Sequence, residues 1–242
     1  MSAPRVLQSY LSGRWAEGTG RAQTLVNPAT EEPLAEVRSG GLDLEGALGY
    51  ARTVGGPALR AMTLGERGAM LRRMTDALQA HRNELLDLAV ANGGNTRGDA
   101  KFDVDGAIFT LAAYADLGKG LGEVKVLADG EGIPLARNPR FHGQHVLVPR
   151  TGVAVHINAF NFPAWGLAEK AAVALLAGMP VVSKPATSSA LVAHRILEVL
   201  TEAQALPPGA LSLLMGGAGD LLEHLGPFDV VAFTGSSDTG VS

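Results

Sequence analysis

The sequence predicts an α/β fold built on a parallel sheet, and three observations carry that expectation. After Gly152, short apolar stretches alternate with helical ones: "VAVHIN", "FPAWGLAEKAAVALLAG", "PVVSKPA", "SALVAHRILEVLTEAQA", "ALSLLMG", "AGDLLEHLG" and "DVVAFTG". The apolar stretches are near-continuous runs of Val, Ile and Leu, the pattern of strands buried on both faces. Polar residues gather where the strands end, at 158–161, 183–187, 216–219 and 234–237. A ligand of such a sheet belongs at these carboxyl ends.

The elements before Gly152 follow a different rhythm. "SYLSGRWAEGTG" and "RAQTLVNPATEEPLAEVRSG" are turn-rich and alternating, and predict two short antiparallel hairpins. Thr63 with Glu66 three residues on makes a capping-box pattern. Met70, Leu71, Met74, Leu78, Leu85 and Leu88 then recur at helical spacing until Gly93 and Gly94 stop them. A second helix is expected through "VDGAIFTLAAYADLG", with Asp103 and Asp105 flanking its start, where the helix dipole favours acids. From Gly120 to Gly143 the text is polar and rich in Gly and Pro, which predicts a loop or excursion outside the core. Three parts result: residues 1–119 with hairpins and helices, 120–150 as the excursion, and 151–242 as the alternating unit.

Composition narrows the function. The 242 residues are 46% hydrophobic, enough for one large core or two modest ones. A net charge of −4, with Lys and Arg scattered, leaves no electrostatic footprint for nucleic acid or an anionic membrane. No cationic, apolar leader and no membrane-length run is present, so the cytoplasm is the expected location. The absence of cysteine excludes disulfides, thiolate metal sites and a thiol nucleophile within these residues. No metal is expected. His142 and His145 stand on opposite faces of an extended stretch, and His156 reads as a satisfied core histidine inside a strand.

"INAFNFPAWGLAEK", "VVSKPAT" and "VVAFTGSSDTG", in this order and spacing, resemble the first half of the aldehyde dehydrogenase superfamily. "PALRAMT", "GVAVHINAFNFP" and "DVVAFTGS" are similar to one branch in particular: the aldehyde dehydrogenase domain of the bifunctional ring-opening protein of phenylacetate degradation and its benzoyl-CoA pathway relatives. The resemblance implies an incomplete Rossmann-like cofactor domain preceded by hairpins and helices. It implies that Asn161 donates to the oxyanion formed when an aldehyde is attacked, with Phe162 and Trp165 lining the aldehyde tunnel and Lys170 relaying protons or holding the site together. Asn161 as a plain helix cap is the competing reading.

The cofactor residues implied are Ile157, Asn158, Ala159 and Phe160 at the first strand end, Lys184, Ala186 and Thr187 at the second, Gly217 after the third, and Phe233, Gly235 and Ser236 at the fourth. Gly235 and Gly240 are expected in a loop leading to a helix, open to a pyrophosphate, with a simple tight turn as the alternative. Thr187 stands where the family often has a glutamate that binds the ribose hydroxyls. Lys184, Ser183 and Thr187 would instead meet a 2′-phosphate, so NADP is favoured over NAD, which stays open. A solvated Lys184 is the competing reading.

The family's nucleophilic cysteine, its glutamate base and the second ribose contact would all lie beyond Ser242. One expectation is therefore the cofactor-binding part of an NADP-dependent enzyme, inactive alone, that oxidises an aldehyde such as a CoA-thioester semialdehyde to a carboxylic acid. The other is a non-catalytic nucleotide-binding module. The hairpins and the 120–150 excursion resemble the family's oligomerisation elements, so association with copies of itself is expected.

Overall fold

The computed structural model describes residues 5–241. β1 (Arg5–Leu7), β2 (Ser9–Leu11) and β3 (Arg14–Ala16) open the chain, followed by β4 (Gln23–Val26) and β5 (Pro33–Val37). Both predicted hairpins form, and they part company. The β2–β3 hairpin joins the main sheet, where Tyr10 pairs with Leu213, whereas β4 and β5 make a separate three-stranded sheet with β1 parallel to β5.

The helical part begins with α1 (Leu44–Tyr50), a π-helical turn over Ala51–Gly55, and α2 (Gly56–Ala61). The capping box at Thr63 starts α3 (Leu64–Ala80): Glu66 N–H donates to Thr63 Oγ1 at 3.1 Å, and Thr63 N–H to Glu66 Oε2 at 2.7 Å. The single periodic run breaks at His81, and α4 (Arg82–Gly93) continues it until Gly94, which adopts the left-handed φ of +67° that ends a helix. α5 (Arg97–Leu121) starts earlier than the sequence suggests. It crosses α3 where Gly118 faces Gly68: a Cβ on Gly118 would lie 2.7 Å from the Gly68 Cα, so only glycine permits this approach. The expected loop near 120–143 is in part a two-stranded hairpin, β6 (Leu127–Pro134) with β7 (His142–Leu147), most of it exposed.

The alternating unit folds as expected: β8 (Ala154–Ile157), α6 (Pro163–Leu176), β9 (Val181–Lys184), a 3-10 turn over Thr187–Ser189, α7 (Ala190–Glu202), β10 (Leu211–Leu213), a 3-10 turn over Leu221–His224, β11 (Val230–Phe233) and α8 (Ser237–Val241). The sheet order is β11-β8-β9-β10-β2-β3, parallel among β8 to β11 and antiparallel where the hairpin attaches. Successive residues of a strand face opposite ways. Ala154, Val181 and Leu211 accordingly join a core with α3, α5, α6 and α7, while Val153, Val155 and Val182 pack against Leu44, Leu48 and Leu221 on the other face. Burial of these runs on both sides removes their apolar area from water at about 25 cal/mol per Å². The β11 edge is the exception, with Val231 45% and Phe233 36% exposed.

Arg67 fixes α6 from below. Its guanidinium is buried between helices, where it donates to the Leu176 carbonyl at 2.8 Å near the end of α6. Burial lowers its pKa. Among the described residues no helix is long and apolar enough to cross a membrane.

Candidate active site

The break between β8 and α6 builds the site. Phe162 occupies the N-cap position of α6 without a side-chain bond, and Pro163 starts the helix with its φ preset. The free N–H groups of the first turn need acceptors. Asp103 supplies them: its carboxylate accepts from Ala164 N–H at 3.2 Å and Trp165 N–H at 2.8 Å. Asp103 therefore lies inside α5 and caps a different helix, and Asp105 pairs with Arg82 at 2.5 and 2.7 Å. Neither flanks the start of its own helix as the sequence suggested. Burial pushes the Asp103 carboxyl up to about 6, against the downward pull of the two backbone N–H groups.

The capping duty thus passes to Asp103, and Asn161 is released from it. The Asn161 side chain is exposed and has no hydrogen-bond partner among the described residues. It lines a cavity of about 220 Å³ with Ala159, Phe162, Trp165, Lys170 and Thr234. Lys170, two turns into α6, is mostly buried; its ammonium donates to Asn158 Oδ1 at 2.9 Å and lies 3.5 Å from the Glu169 carboxylate. Asn158 in turn donates from Nδ2 to Ser183 Oγ at 3.1 Å. A chain Lys170–Asn158–Ser183 therefore runs beneath the cavity, with Asn158 and Ser183 buried. The serine is fully buried there and is not the exposed hydroxyl donor expected of it. His156 sits on the same side, buried, with Nδ1 unpartnered among the described residues, so it is not the satisfied core histidine that the strand position suggested. Burial first, and the Lys170 charge second, push its pKa down to about 4 and keep the ring neutral.

The opposite face of the strand ends carries another set. Ile157 pairs in register with Lys184 on one side and with Phe233 on the other, so these three side chains form one row turned away from α6. Lys184 is half-buried, bonded to the Pro185 carbonyl at 3.1 Å, and its pKa is lowered by burial. The solvated-lysine reading fails. Ala186 and Thr187 follow at the 3-10 turn, within reach of solvent. Gly217 is exposed just after Gly216, which turns the chain at φ +86°. Gly235 lies in the turn after β11, but Gly240 is inside α8 and not in the loop. Ser236 Oγ accepts from Thr239 N–H at 3.3 Å. Phe160 stands apart, lining a separate hollow with Leu25, Pro28 and Ser189. A half-buried cation therefore ends an apolar row, and small residues follow it in an open turn.

Sequence reading missed Asp103, Glu169, Thr234, Phe102 and Thr110. Phe102, Gly106 and Thr110 recur at every fourth position of α5, which is the signal of one helix face. Phe102 packs edge-on 5.2 Å from Trp165 and tilted 5.9 Å from Phe162, so a three-ring cluster stands behind the cavity wall formed by Phe162 and Trp165. Among the described residues no group of three or more His, Asp or Glu is placed to hold a metal ion.

Comparison with known proteins gives the chain's relatives. The chain is 54% identical over 233 residues to 3,4-dehydroadipyl-CoA semialdehyde dehydrogenase of Aromatoleum evansii, covering 96% of this chain and 45% of the relative. Among solved structures it matches betaine aldehyde dehydrogenase of Staphylococcus aureus in complex with NAD+, with TM-score 0.80 and 25% identity over 97% of this chain and 46% of that one. It also matches a structure described as an Escherichia coli NADP dependent enzyme, with TM-score 0.74 and 27% identity over 90% of this chain and 43% of that one. The chain spans less than half the length of these proteins. The model of the aldehyde dehydrogenase family matches residues 15–242, and a match over nearly the whole sequence means that this chain belongs to that family.

Proposed function

We propose that these residues form the cofactor- and aldehyde-facing part of an NADP-dependent aldehyde dehydrogenase that oxidises an open-chain CoA-thioester semialdehyde to the carboxylic acid. The observation that carries the reading is the uncapped Asn161: a side-chain amide at the N-terminus of α6, relieved of capping by Asp103 and lining a small cavity with Lys170. An amide left without a partner at that position is available to donate to an oxygen as it gains charge. The 54% identical semialdehyde dehydrogenase supports the substrate class.

The residues divide the labour. Asn161 receives the aldehyde oxygen, Phe162 and Trp165 exclude water from its chain, and Lys170, steadied by Asn158, holds positive charge beneath the oxyanion. A bound dinucleotide would supply the hydride acceptor, and Ile157, Phe233 and Lys184 would hold its adenosine half, with Ala159, Ala186, Thr187, Gly217, Gly235 and Ser236 around it. Thr187 in place of a carboxylate leaves Lys184 free to neutralise a 2′-phosphate, so NADP is preferred and NAD is the weaker cofactor. No thiol is present among the 242 residues, so the nucleophile comes from polypeptide outside this sequence. The hairpin over 127–147 serves as an arm between copies of the enzyme, which works in the cytoplasm.

Carrying the chain on a polypeptide that supplies the remaining length of its relatives tests the reading. Aldehyde-dependent NADPH formation is expected there, and none from the 242-residue chain alone. NADPH from the chain alone would overturn the assignment. Nucleotide binding without oxidation in either form would return the non-catalytic module.

A further inference from the structure

Trp165 borders three cavities at once: the one of about 220 Å³ beside Asn161, one of about 650 Å³ that reaches His156 and Ala232, and an open hollow of about 810 Å³ along α5 lined by Phe102 and Phe109. An indole in that position decides what can pass between them, provided that its orientation is fixed. The face of α5 turned towards it does the fixing. Gly106 stands in the middle of a 25-residue helix, where glycine weakens the helix. A Cβ built on it would lie 2.8 Å from Trp165 Cδ2 and 2.9 Å from Cε3. The six-membered ring of the indole therefore occupies space that any larger residue at 106 would take. One turn on, Thr110 Oγ1 accepts from the indole Nε1–H at 3.0 Å. One turn back, Asp103 accepts from the Trp165 backbone N–H at 2.8 Å. Phe102 packs edge-on against the ring at 5.2 Å.

We propose that Gly106 and Thr110 are positioning residues that pin Trp165 as the wall selecting unbranched aldehydes. With the carbonyl oxygen at Asn161, a straight chain lies along the edge of the indole towards the hollow of Phe102 and Phe109. A substituent on the carbon next to the carbonyl meets the ring face. This inference rests on the reading of the site as an aldehyde pocket, and it adds which aldehydes are admitted and what holds the selecting residue.

The chain has two tryptophans, so 5-fluorotryptophan labelling gives two 19F resonances, with Trp15→Phe assigning them. Thr110→Val is expected to move or split the Trp165 resonance and leave that of Trp15 in place; Thr110→Ser, which keeps the hydroxyl, restores the original shift. Gly106→Ala moves the same resonance. An unmoved Trp165 signal in both Thr110→Val and Gly106→Ala overturns the proposal. In the longer enzyme, Thr110→Val should reduce the preference for an unbranched over a 2-methyl-branched aldehyde, read as the ratio of kcat/KM, by about 10-fold, the worth of a methyl group in a fitted pocket. An active enzyme with an unchanged ratio also overturns it. An unmutated longer enzyme that oxidises no aldehyde refutes the functional reading instead, and the resonance shifts still decide whether Gly106 and Thr110 hold the ring.

Discussion

Asp103→Asn isolates the buried carboxylate on which the geometry of the α6 N-terminus depends. Asp103 is fully buried, and its carboxyl titrates at about 6 in the fold against 3.8 in an exposed chain. The folded value is the raised one, so below pH 3.8 both states hold the proton and nothing is lost. As the pH rises from 3.8 towards 6 the unfolded chain releases a proton that the fold retains, and stability falls; above 6 the loss is constant. A gap of this size corresponds to about 3 kcal/mol in all, of which about 2 kcal/mol is lost between pH 4.5 and 7.5. Asparagine cannot ionise. Urea unfolding of the wild type and Asp103→Asn at both pH values should therefore show the wild type losing about 2 kcal/mol relative to the variant as the pH is raised. Taking the difference cancels the carboxylates that both proteins share, including Asp229 and Asp105, whose pKa values are lowered and which act in the opposite direction. A difference that stays constant between the two pH values would refute the reasoning and mean that the two N–H donors and the helix dipole outweigh burial.

Three further outcomes follow from the site. Asn161→Ala in the longer enzyme should lower kcat by roughly 10²- to 10³-fold, while the melting temperature of the 242-residue chain stays unchanged because the side chain has no partner to lose; an unchanged kcat would remove Asn161 from catalysis. Thr187→Glu should reverse a preference for NADP over NAD worth about 1.5–3 kcal/mol, checked by kcat/KM for each cofactor. The exposed β11 edge should make the isolated chain self-associate, as read by size-exclusion chromatography with light scattering, whereas a monodisperse monomer of 25.0 kDa would show that the edge is tolerated.

The elements that were legible in the sequence are those whose signal is local. The runs at 154–157, 181–184 and 230–233 declare strands, the first two buried, and Thr63 with Glu66 declares a helix start, because each pattern is complete within a few residues. The 127–147 hairpin was not legible because it is exposed along most of its length and so has no alternation of apolar and polar residues to display. Asp103 was misplaced for a different reason. Its partners are the N–H groups of residues 164 and 165, about sixty positions away, and no local pattern distinguishes an acid that caps its own helix from one that caps another. The same holds for Ser183, whose burial beneath the cavity, and not any local pattern, sets it apart from an exposed hydroxyl. The unpartnered nitrogen of His156 is likewise a property of the space around a residue, which the string of letters does not contain.

The one-up, one-down alternation of β8 and β9 has an evolutionary consequence. His156 and Ser183 look towards Lys170, while Ile157 and Lys184 look the other way, so neighbouring codons address opposite chambers. A point substitution can reshape one chamber while the other keeps its form, and the reverse is equally open. Deleting one residue from either strand has no such freedom: it exchanges the two chambers' side chains together. The two chambers can therefore drift independently by substitution, whereas the length of these strands is held fixed by both at once.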